Sequence, residues 1–409
     1  MRILVLTHYY APEIGAPQRR WRTLVGAFAD AGHDVAVCAP VPHYPYRKRG
    51  ELGIRRPAVW RWSDGAFGER ILRVPYLRSS GSVPGQLVDQ TVSSAFMVGA
   101  AAAMRRARPD VIVATTPGLP MPFTAASVAG LLRVPLVTEI RDVWPDLIAD
   151  TALVERGTRG MLPSAVSRTL ETRVLPALFN GALRRSDALV ATTESFADQL
   201  RERAMPPVTV VRNTSDAPRL TPRRTQRRQH GDLHVLYVGT VGRSQGLETA
   251  IRAVADVPGV RLRVVGAGAH WHDLRELALG LTDRVEFYPQ TTGIALEDHW
   301  EWAHTGLVSL ADVPSFTLTI PSKLVSIMAR RVHVSGVIAG EAAQIVHDAQ
   351  AGAVSAPGDI DDIRRMFVEL RDDPESTAVG ERPVEWLRTH ASPQSAARTY
   401  LRLLQDVTS

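Results

Sequence analysis

The sequence predicts an α/β protein with two domains, each built on a parallel sheet. Short hydrophobic runs typical of strands alternate with segments of helical periodicity. This pattern stops once, at a polar, arginine- and proline-containing stretch, and then begins again. We expect a first domain over residues 1–216, a linker over 217–232, a second domain over 233–384 and a helical segment over 385–409. A length of 409 residues fits this division.

The first domain opens with a βαβ unit: a strand over residues 2–7, a helix over 18–31 and a strand over 34–39. Gly15, in the loop after the first strand, allows a ligand to approach the backbone closely. The loop lacks GxGxxG spacing, so no nicotinamide-binding fingerprint is predicted. Further strands are expected at 110–114, 136–139, 188–192 and 208–211.

Arg141 and Asp142 directly follow the predicted strand over residues 136–139. Charged side chains at that position lie at the ligand-binding edge of an open α/β sheet. A purely structural salt bridge is the alternative. The segment 84–107 is predicted to be one helix with an apolar face, which either packs on the core or lies on a membrane surface. Helices are also expected over 164–185 and 194–204.

The second domain places three anion-binding features at predicted strand ends. They are a glycine-rich turn over residues 239–246 that carries Arg243, a helix start at 321–323, and a helix start at 340–341. Thr319 or Ser322 is expected to cap the middle one. Lys323 is one of only two lysines among 48 basic residues. A phosphate seat is the functional interpretation, and a surface lysine without a function is the alternative.

Composition and charge narrow the class of protein. The single cysteine, Cys38, rules out an intrachain disulfide and a cysteine zinc site, which fits a reducing cytoplasm. No signal peptide and no apolar run long enough to cross a membrane are evident. No P-loop sequence, HExxH motif or close His/Asp cluster predicts an NTPase or a metal site.

The net charge of +6 is unevenly placed. Residues 1–205 hold 26 basic and 18 acidic side chains, a net +8, which leaves −2 for residues 206–409. A basic first half could meet anionic lipid, nucleic acid or a phosphorylated acceptor. Solvated surface charge in an arginine-rich protein is the alternative.

Several segments together resemble a known family. They are Tyr9-Tyr10-Ala11-Pro12-Glu13-Ile14-Gly15-Ala16-Pro17, Pro42-His43-Tyr44-Pro45, Glu139-Ile140-Arg141-Asp142-Val143-Trp144-Pro145, Gly239 to Glu248, Ile320-Pro321-Ser322-Lys323-Leu324 and Gly340-Glu341-Ala342-Ala343. In this order they resemble the family 4 retaining glycosyltransferases, and in particular the N-acetyl-fucosamine-transferase-like branch. That resemblance implies a GT-B fold, in which two Rossmann-like domains face each other across a cleft and the last helix packs back on the first domain.

The resemblance also implies the reaction. A sugar would move, with retention, from a nucleotide-diphosphate sugar, with UDP the expected nucleotide, to a hydroxyl of a glycan, a lipid-linked sugar or a natural product. No cofactor, obligatory metal or nucleic acid is implied. The enzyme would be cytoplasmic, or peripheral at the inner membrane face. A GT-B sugar-nucleotide epimerase and a catalytically degenerate GT-B partner protein are the alternatives.

Site residues follow from the same resemblance. Catalysis would use Arg243 and Lys323 on the leaving diphosphate, with Asp142 beside the acceptor. The donor-binding residues would be Gly15, Ala16, Gly239, Thr240, Arg243, Gln245, Gly266, Ile320, Ser322, Lys323, Ser326 and Glu341. The acceptor-binding residues would be Arg19, His43, Tyr44, Arg141 and Asp142.

Two departures from the family pattern affect the donor side. Leu318 and Ser326 stand where many members carry two glutamates, the second of which usually binds ribose hydroxyls. Gln245 stands where a lysine is common, although glutamine is frequent in the fucosamine-transferase-like branch. Ser326 or Glu341 would then hold the ribose.

Overall fold

The computed structural model describes residues 1–13, 15–43, 58–77, 83–116, 119–158, 161–214 and 231–409. The chain divides into two compact units. Unit 1 comprises Met1–Arg212 and Pro393–Ser409, and unit 2 comprises Asn213–Ser392. Of the predicted linker, residues 217–230 lie outside the described residues. Each unit is an α/β structure on a parallel sheet, as the sequence predicts.

Unit 1 is built on an eight-stranded sheet. Its strands are β1 Arg2–Leu6, β2 Asp34–Pro40, β3 Trp62–Asp64, β4 Arg70–Val74, β5 Val111–Thr116, β6 Leu136–Ile140, β7 Ala188–Ala191 and β8 Val208–Val210. They lie in the order β3-β4-β2-β1-β5-β6-β7-β8, and all neighbours are parallel except β3 and β4. Strands β3 and β4 were not predicted.

The helices of unit 1 cover both faces of this sheet. They are α1 Ala16–Asp30, α2 Val83–Gly99, α3 Ala101–Arg105, α4 Met121–Leu132, α5 Asp146–Asp150, α6 Leu153–Thr158, α7 Ser164–Thr169, α8 Leu175–Leu183 and α9 Glu194–Glu202. A π-helical segment, Leu170–Val174, joins α7 to α8. Alternate residues of β1 enter two separate cores, because successive strand side chains point to opposite faces.

Unit 2 repeats the design on a six-stranded, fully parallel sheet. Its strands are β9 Leu233–Thr240, β10 Val260–Ala267, β11 Val285–Pro289, β12 Thr305–Ser309, β13 His333–Val337 and β14 Gly352–Ser355. Their order is β11-β10-β9-β12-β13-β14. The helices are α10 Leu247–Asp256, α11 Trp271–Leu281, α12 Ile294–Trp302, α13 Ser322–Ala329, α14 Glu341–Asp348, α15 Ile360–Asp372 and α16 Arg382–His390. Two hydrophobic cores flank this sheet as well.

The C-terminal segment is divided between the units. Helix α16 contacts α13 in unit 2, and Leu387 lies in that core. The last helix, α17 Pro393–Thr408, belongs to unit 1 and packs on α1, where Tyr400 meets Phe28 edge to face at 5.7 Å. A segment that begins at residue 385 is therefore not one structural piece. Ala391 and Ser392 separate the two helices because Pro393 cannot continue the hydrogen-bond ladder of α16.

The predicted helix over residues 84–107 is wrong in its continuity. Helix α2 ends at Gly99 and α3 begins at Ala101, and glycine is a poor helix former. Met97 and Met104 are fully buried in the core, whereas Leu87 is 41% exposed. Among the helices in the described ranges, none is long and apolar enough to cross a bilayer.

Candidate functional site

Two glycines shape the carboxyl ends of the central strands of unit 2. Gly239 in β9 has a φ of +140°, which side chains other than glycine rarely adopt. A Cβ at Gly266 in β10 would lie 1.9 Å from the carbonyl oxygen of Gly239. Both positions therefore require glycine, and the sheet edge there is bare backbone. The predicted donor residue Thr240 ends β9 and is exposed.

The side chain of Lys323 fills the space that Gly239 leaves open. A Cβ on Gly239 would lie 2.6 Å from Cε and 3.2 Å from Nζ of this lysine. The Nζ atom also sits 4.9 Å from the centre of the Tyr237 ring. Lys323 is partly buried, and loss of hydration lowers the pKa of its ammonium to about 8. Within the described part of the chain no carboxylate pairs with it, so it is a cation poised for an anion from outside.

The helix that carries Lys323 begins without a side-chain cap. Pro321 is the N-cap and Ser322 the first helical residue of α13, so Lys323 lies in the first turn. The predicted caps are wrong because neither residue stands at the N-cap. Thr319 lies two residues before it, where its hydroxyl donates to the Phe316 carbonyl at 3.0 Å, and Ser322 is already inside the helix. The Leu324 amide donates to the Pro321 carbonyl at 3.0 Å, which leaves the amides of Ser322 and Lys323 for another acceptor. Ile320, just before the helix, packs partly against the core.

Ser326, the predicted substitute for a ribose-binding glutamate, is held within the same helix. Its hydroxyl donates to the Ser322 carbonyl at 3.1 Å. Glu341 is the first residue of α14, and its N-cap Gly340 has a φ of +65°. A Cβ there would lie 2.0 Å from the Thr317 carbonyl oxygen, in the segment leading into α13. The start of α14 is thus packed against the approach to Lys323.

The glycine-rich turn after β9 is organised by Gln245. Its side-chain oxygen accepts from the Gly242 amide at 2.9 Å, and its carbonyl accepts from the Ser309 hydroxyl at 2.6 Å. A glutamine where family members often carry a lysine therefore has a local structural function. Arg243 projects from this turn with 77% of its side chain exposed, 3.9 Å from the Asp273 carboxylate. It adds a second positive charge at the same edge of the sheet.

In unit 1, the strand end that was predicted to bind an acceptor is anchored by a buried charge cluster. Glu139, fully buried in β6, receives hydrogen bonds from Arg20 at 2.9 and 3.0 Å and from Tyr400 at 3.3 Å. Arg20 also donates to the carbonyls of Val211 and Arg212 at 2.9 Å. The Glu139 carboxylate thus joins strand β6 to helices α1 and α17, and Arg20 extends the connection to residues 211–212.

Electrostatics keep this carboxylate ionised. Burial by itself would raise the pKa of Glu139, but the guanidinium of Arg20, with help from Arg141, more than offsets this and lowers the pKa. The Nε of Arg141 lies 3.9 Å from Glu139, with 11% of its side chain exposed. The structural salt bridge considered for this segment therefore forms at Arg141.

The other acceptor-side predictions differ in accessibility. Asp142 and Arg19 are exposed. The His43 side chain is only 2% exposed, which leaves little of it for an acceptor. Tyr44 lies outside the described residues.

On the donor side of unit 1, Gly15 is the extended N-cap of α1, which begins at Ala16. A Cβ at Gly15 would lie 2.5 Å from the Gln18 side-chain oxygen, so the loop closes tightly on its own helix. Nothing larger than glycine fits there without moving Gln18.

Sequence reasoning missed Arg20, Tyr400 and the grouping of His8 with His43 and Asp89. The helical spacing does point Arg20 inward, since Leu24 and Phe28 follow at intervals of four and are buried. A glutamate inside a wholly buried strand also signals a partner. For Tyr400 and Asp89, no local pattern could have indicated the contact.

Two family profiles match the chain in the same order as the two units. The "Glycosyl transferase 4-like domain" matches residues 15–214, and "Glycosyl transferases group 1" matches residues 232–373. The chain belongs to the family 4 glycosyltransferases. This glycosyltransferase uses a nucleotide sugar and has the GT-B fold.

Similar proteins agree with this assignment. The glycosyltransferase is 25% identical, over 80% of its length and 81% of the relative, to the "putative colanic acid biosynthesis glycosyl transferase WcaI" of Escherichia coli K12. It superposes on sucrose-phosphate synthase from Thermosynechococcus elongatus with a TM-score of 0.68 and 15% identity, covering 100% and 99% of the two chains. HepE from Anabaena in complex with UDP gives a TM-score of 0.66 at 16% identity, covering 99% and 100%.

Proposed function

We propose that unit 2 binds a UDP-sugar with its diphosphate at Lys323, and that the sugar is passed with retention to a hydroxyl acceptor held by unit 1. The observation that carries this is the ammonium of Lys323, partly desolvated, packed on Gly239 and without a carboxylate partner in the described residues. A partly desolvated cation without a carboxylate partner gains more from an anionic ligand than a cation that is already paired or fully hydrated. UDP and UDP-glucose occupy structures of HepE, which shares the fold.

In this proposal Lys323 and Arg243 stabilise the negative charge that develops on the leaving diphosphate. The amides of Ser322 and Lys323 at the start of α13 add a further anion contact. Glu341 holds ribose hydroxyls, and Ser326 contributes one weaker hydrogen bond. Gln245 shapes the turn through its contacts with Gly242 and Ser309. On unit 1, the exposed Asp142 and Arg19 contact the acceptor, with Arg141 beneath them.

The acceptor is a glycan, a lipid-linked sugar or a natural product, and the enzyme works in the cytoplasm or at the inner membrane face. The basic composition of the first half of the chain supports an anionic acceptor or lipid surface. The similarity to a colanic acid enzyme supports a surface polysaccharide. Asp142→Asn should lower kcat. It should leave the nucleotide affinity unchanged, because Asp142 lies in unit 1 and the nucleotide binds to unit 2 in this proposal.

Isothermal titration of the full chain with UDP, GDP, ADP and dTDP tests the donor site. We expect UDP to bind and Lys323→Ala to weaken it about tenfold to a hundredfold, since a hydrogen bond to a charged group contributes about 1.5–3 kcal/mol. Arg275→Ala is the matched control, because it removes an exposed positive charge from the same unit. Failure of all four nucleotides to bind, or equal affinities for both variants, would refute the proposal.

A further inference from the structure

Unit 1 contains a buried group of three side chains of the types that bind metals, to which the proposed function assigns no role. His8 follows strand β1, His43 follows β2, and Asp89 lies on helix α2. One ligand atom from each lies within 4.8 Å of the other two, and within the described ranges no other group of this kind was found. The side chains of His8 and Asp89 are 4% exposed, and that of His43 is 2% exposed.

One pair of these side chains, His8 and Asp89, already has the separation that two ligands of one metal require. The Nε2 of His8 lies 3.3 Å from Oδ2 of Asp89. Two ligands of a tetrahedral zinc, each about 2.0–2.1 Å from the ion, are about 3.3–3.5 Å apart. The third ligand atom needs to move inward by at most about 1.5 Å on the same geometry.

The surroundings of His43 prepare one nitrogen for a ligand. Its Nδ1 lies 3.0 Å from the Val41 carbonyl and 3.4 Å from Oε1 of Glu13. A proton on Nδ1 satisfies both, which leaves a lone pair on Nε2. That Nε2 is buried without a hydrogen-bond partner. A carboxylate on the far nitrogen of a histidine is the usual second layer of a zinc site.

The carboxylate is positioned in the same way. The Oδ1 of Asp89 accepts from the hydroxyl of Ser93, a fully buried residue one turn along α2, at 3.2 Å. This leaves Oδ2 directed at His8. The rings of Tyr9 and Tyr76 stack on His43, with centroids 5.3 and 4.2 Å away, and cover the group.

We propose that His8, His43 and Asp89 bind one divalent transition-metal ion, with zinc the best match to two imidazoles and a carboxylate. Three protein ligands leave the fourth position for water. The ion fixes the ends of β1 and β2 to helix α2. Because the ligands are almost fully buried, we assign the ion a structural function in unit 1.

The test is the metal content of the full-length protein. The chain is stripped with EDTA, loaded with ZnSO₄, passed over a desalting column and measured by mass spectrometry of the metal. We expect one zinc per chain, and titration with CoCl₂ should give the visible absorption of tetrahedral cobalt. Zinc should also raise the Tm of the stripped protein. Less than about a tenth of an equivalent of zinc, with no cobalt spectrum, would overturn the proposal.

Substitutions distinguish zinc binding at this site from nonspecific zinc binding elsewhere on the protein. Asp89→Asn and His43→Gln should lose the bound zinc, whereas His347→Gln, at a side chain 85% exposed, should keep it. Glu13→Gln should lower zinc affinity about 10- to 100-fold and retain the stoichiometry. Equal zinc in all variants means an adventitious ion and refutes the site. If a variant fails to fold, the cobalt spectrum and Tm shift of the unaltered chain decide. Nucleotide binding is measured separately, so either proposal can fail alone.

Discussion

Replacing Lys323 by methionine should stabilise unit 2 while it weakens nucleotide binding. Methionine keeps most of the volume packed on Gly239 and Tyr237 and removes the charge. Desolvation lowers the pKa of this lysine from 10.5 to about 8. Since one pKa unit corresponds to about 1.36 kcal/mol, the charged group costs at most about 3.4 kcal/mol at neutral pH.

The net gain is smaller than this limit. Lys323 is only partly buried, so the ammonium keeps some contact with water, and the face of the Tyr237 ring attracts the charge. We expect Lys323→Met to raise the unfolding free energy of unit 2 by about 1–2 kcal/mol. For a unit of this size that corresponds to a rise in Tm of about 2–8 °C. Saturating UDP should then reverse the order, because only the unaltered protein binds it tightly.

The pH dependence identifies the cause. In the unfolded chain lysine has its ordinary pKa, so between about pH 8 and 10.5 the unfolded state holds a proton that the folded state has released. The cost of the charge is therefore complete below about pH 8 and decreases as the pH rises. Calorimetry should show the advantage of Lys323→Met reduced by about half at pH 9.5 relative to pH 7.

Several results would contradict this reasoning. One is a Lys323→Met variant that is no more stable than the unaltered protein at pH 7. Another is a gain in unfolding free energy that does not change with pH. The third is a variant that binds UDP as tightly as the unaltered protein. Arg275→Met, which removes an exposed charge from the same unit, should leave both Tm and affinity unchanged.

Three further predictions follow from buried contacts. Gly239→Ala, which puts a methyl 2.6 Å from a lysine carbon at a φ of +140°, should cost about 1–3 kcal/mol and weaken nucleotide binding at least tenfold. Gly280→Ala, where the added methyl meets no atom, should change neither the stability nor the nucleotide affinity. Urea denaturation and titration calorimetry measure the two quantities, and equal effects of both substitutions would contradict the prediction. Arg20→Met and Glu139→Leu should each cost about 3–5 kcal/mol, and the double variant less than their sum. Additive costs in that double-mutant cycle would contradict a direct pair. His333, whose pKa burial lowers to about 4, should make unit 2 less stable as the pH falls from about 6.5 to 4, because the unfolded histidine takes up the proton first. Denaturation of His333→Asn at both pH values should show a smaller loss, and an identical loss would exclude this histidine as its source.

The parallel α/β architecture was predictable because its signals are local. Buried parallel strands such as β1 and β7 read as continuous apolar runs, and each is followed by a turn and a helical period. The GT-B fold implied by the family motifs is confirmed. Short or weakly apolar pieces were missed: β3 is a three-residue edge strand with an exposed end, which has no such signature.

The candidate donor residues were also within reach of the sequence, because glycines and a rare lysine at strand ends are visible one residue at a time. Their environment was not. The partial burial of Lys323, its packing on Gly239 and its lack of a carboxylate partner in the described residues are tertiary properties. They depend on the start of helix α13 meeting the end of strand β9, 84 positions earlier in the chain. The predicted caps of α13 failed because the helix begins at Ser322, directly after Pro321, so neither Thr319 nor Ser322 occupies the N-cap position.

The sequence by itself determined the alternation of strands and helices, the family and the residue types at the strand ends, since these depend on local periodicity and short motifs. Only the tertiary structure decided which distant side chains share one environment. It joined Arg20 and Glu139 to Tyr400, 261 positions beyond the glutamate. It also placed His8 and His43 with Asp89 in one buried group. Burial and pairing are properties of the packed chain, because they depend on which segments exclude water from each other.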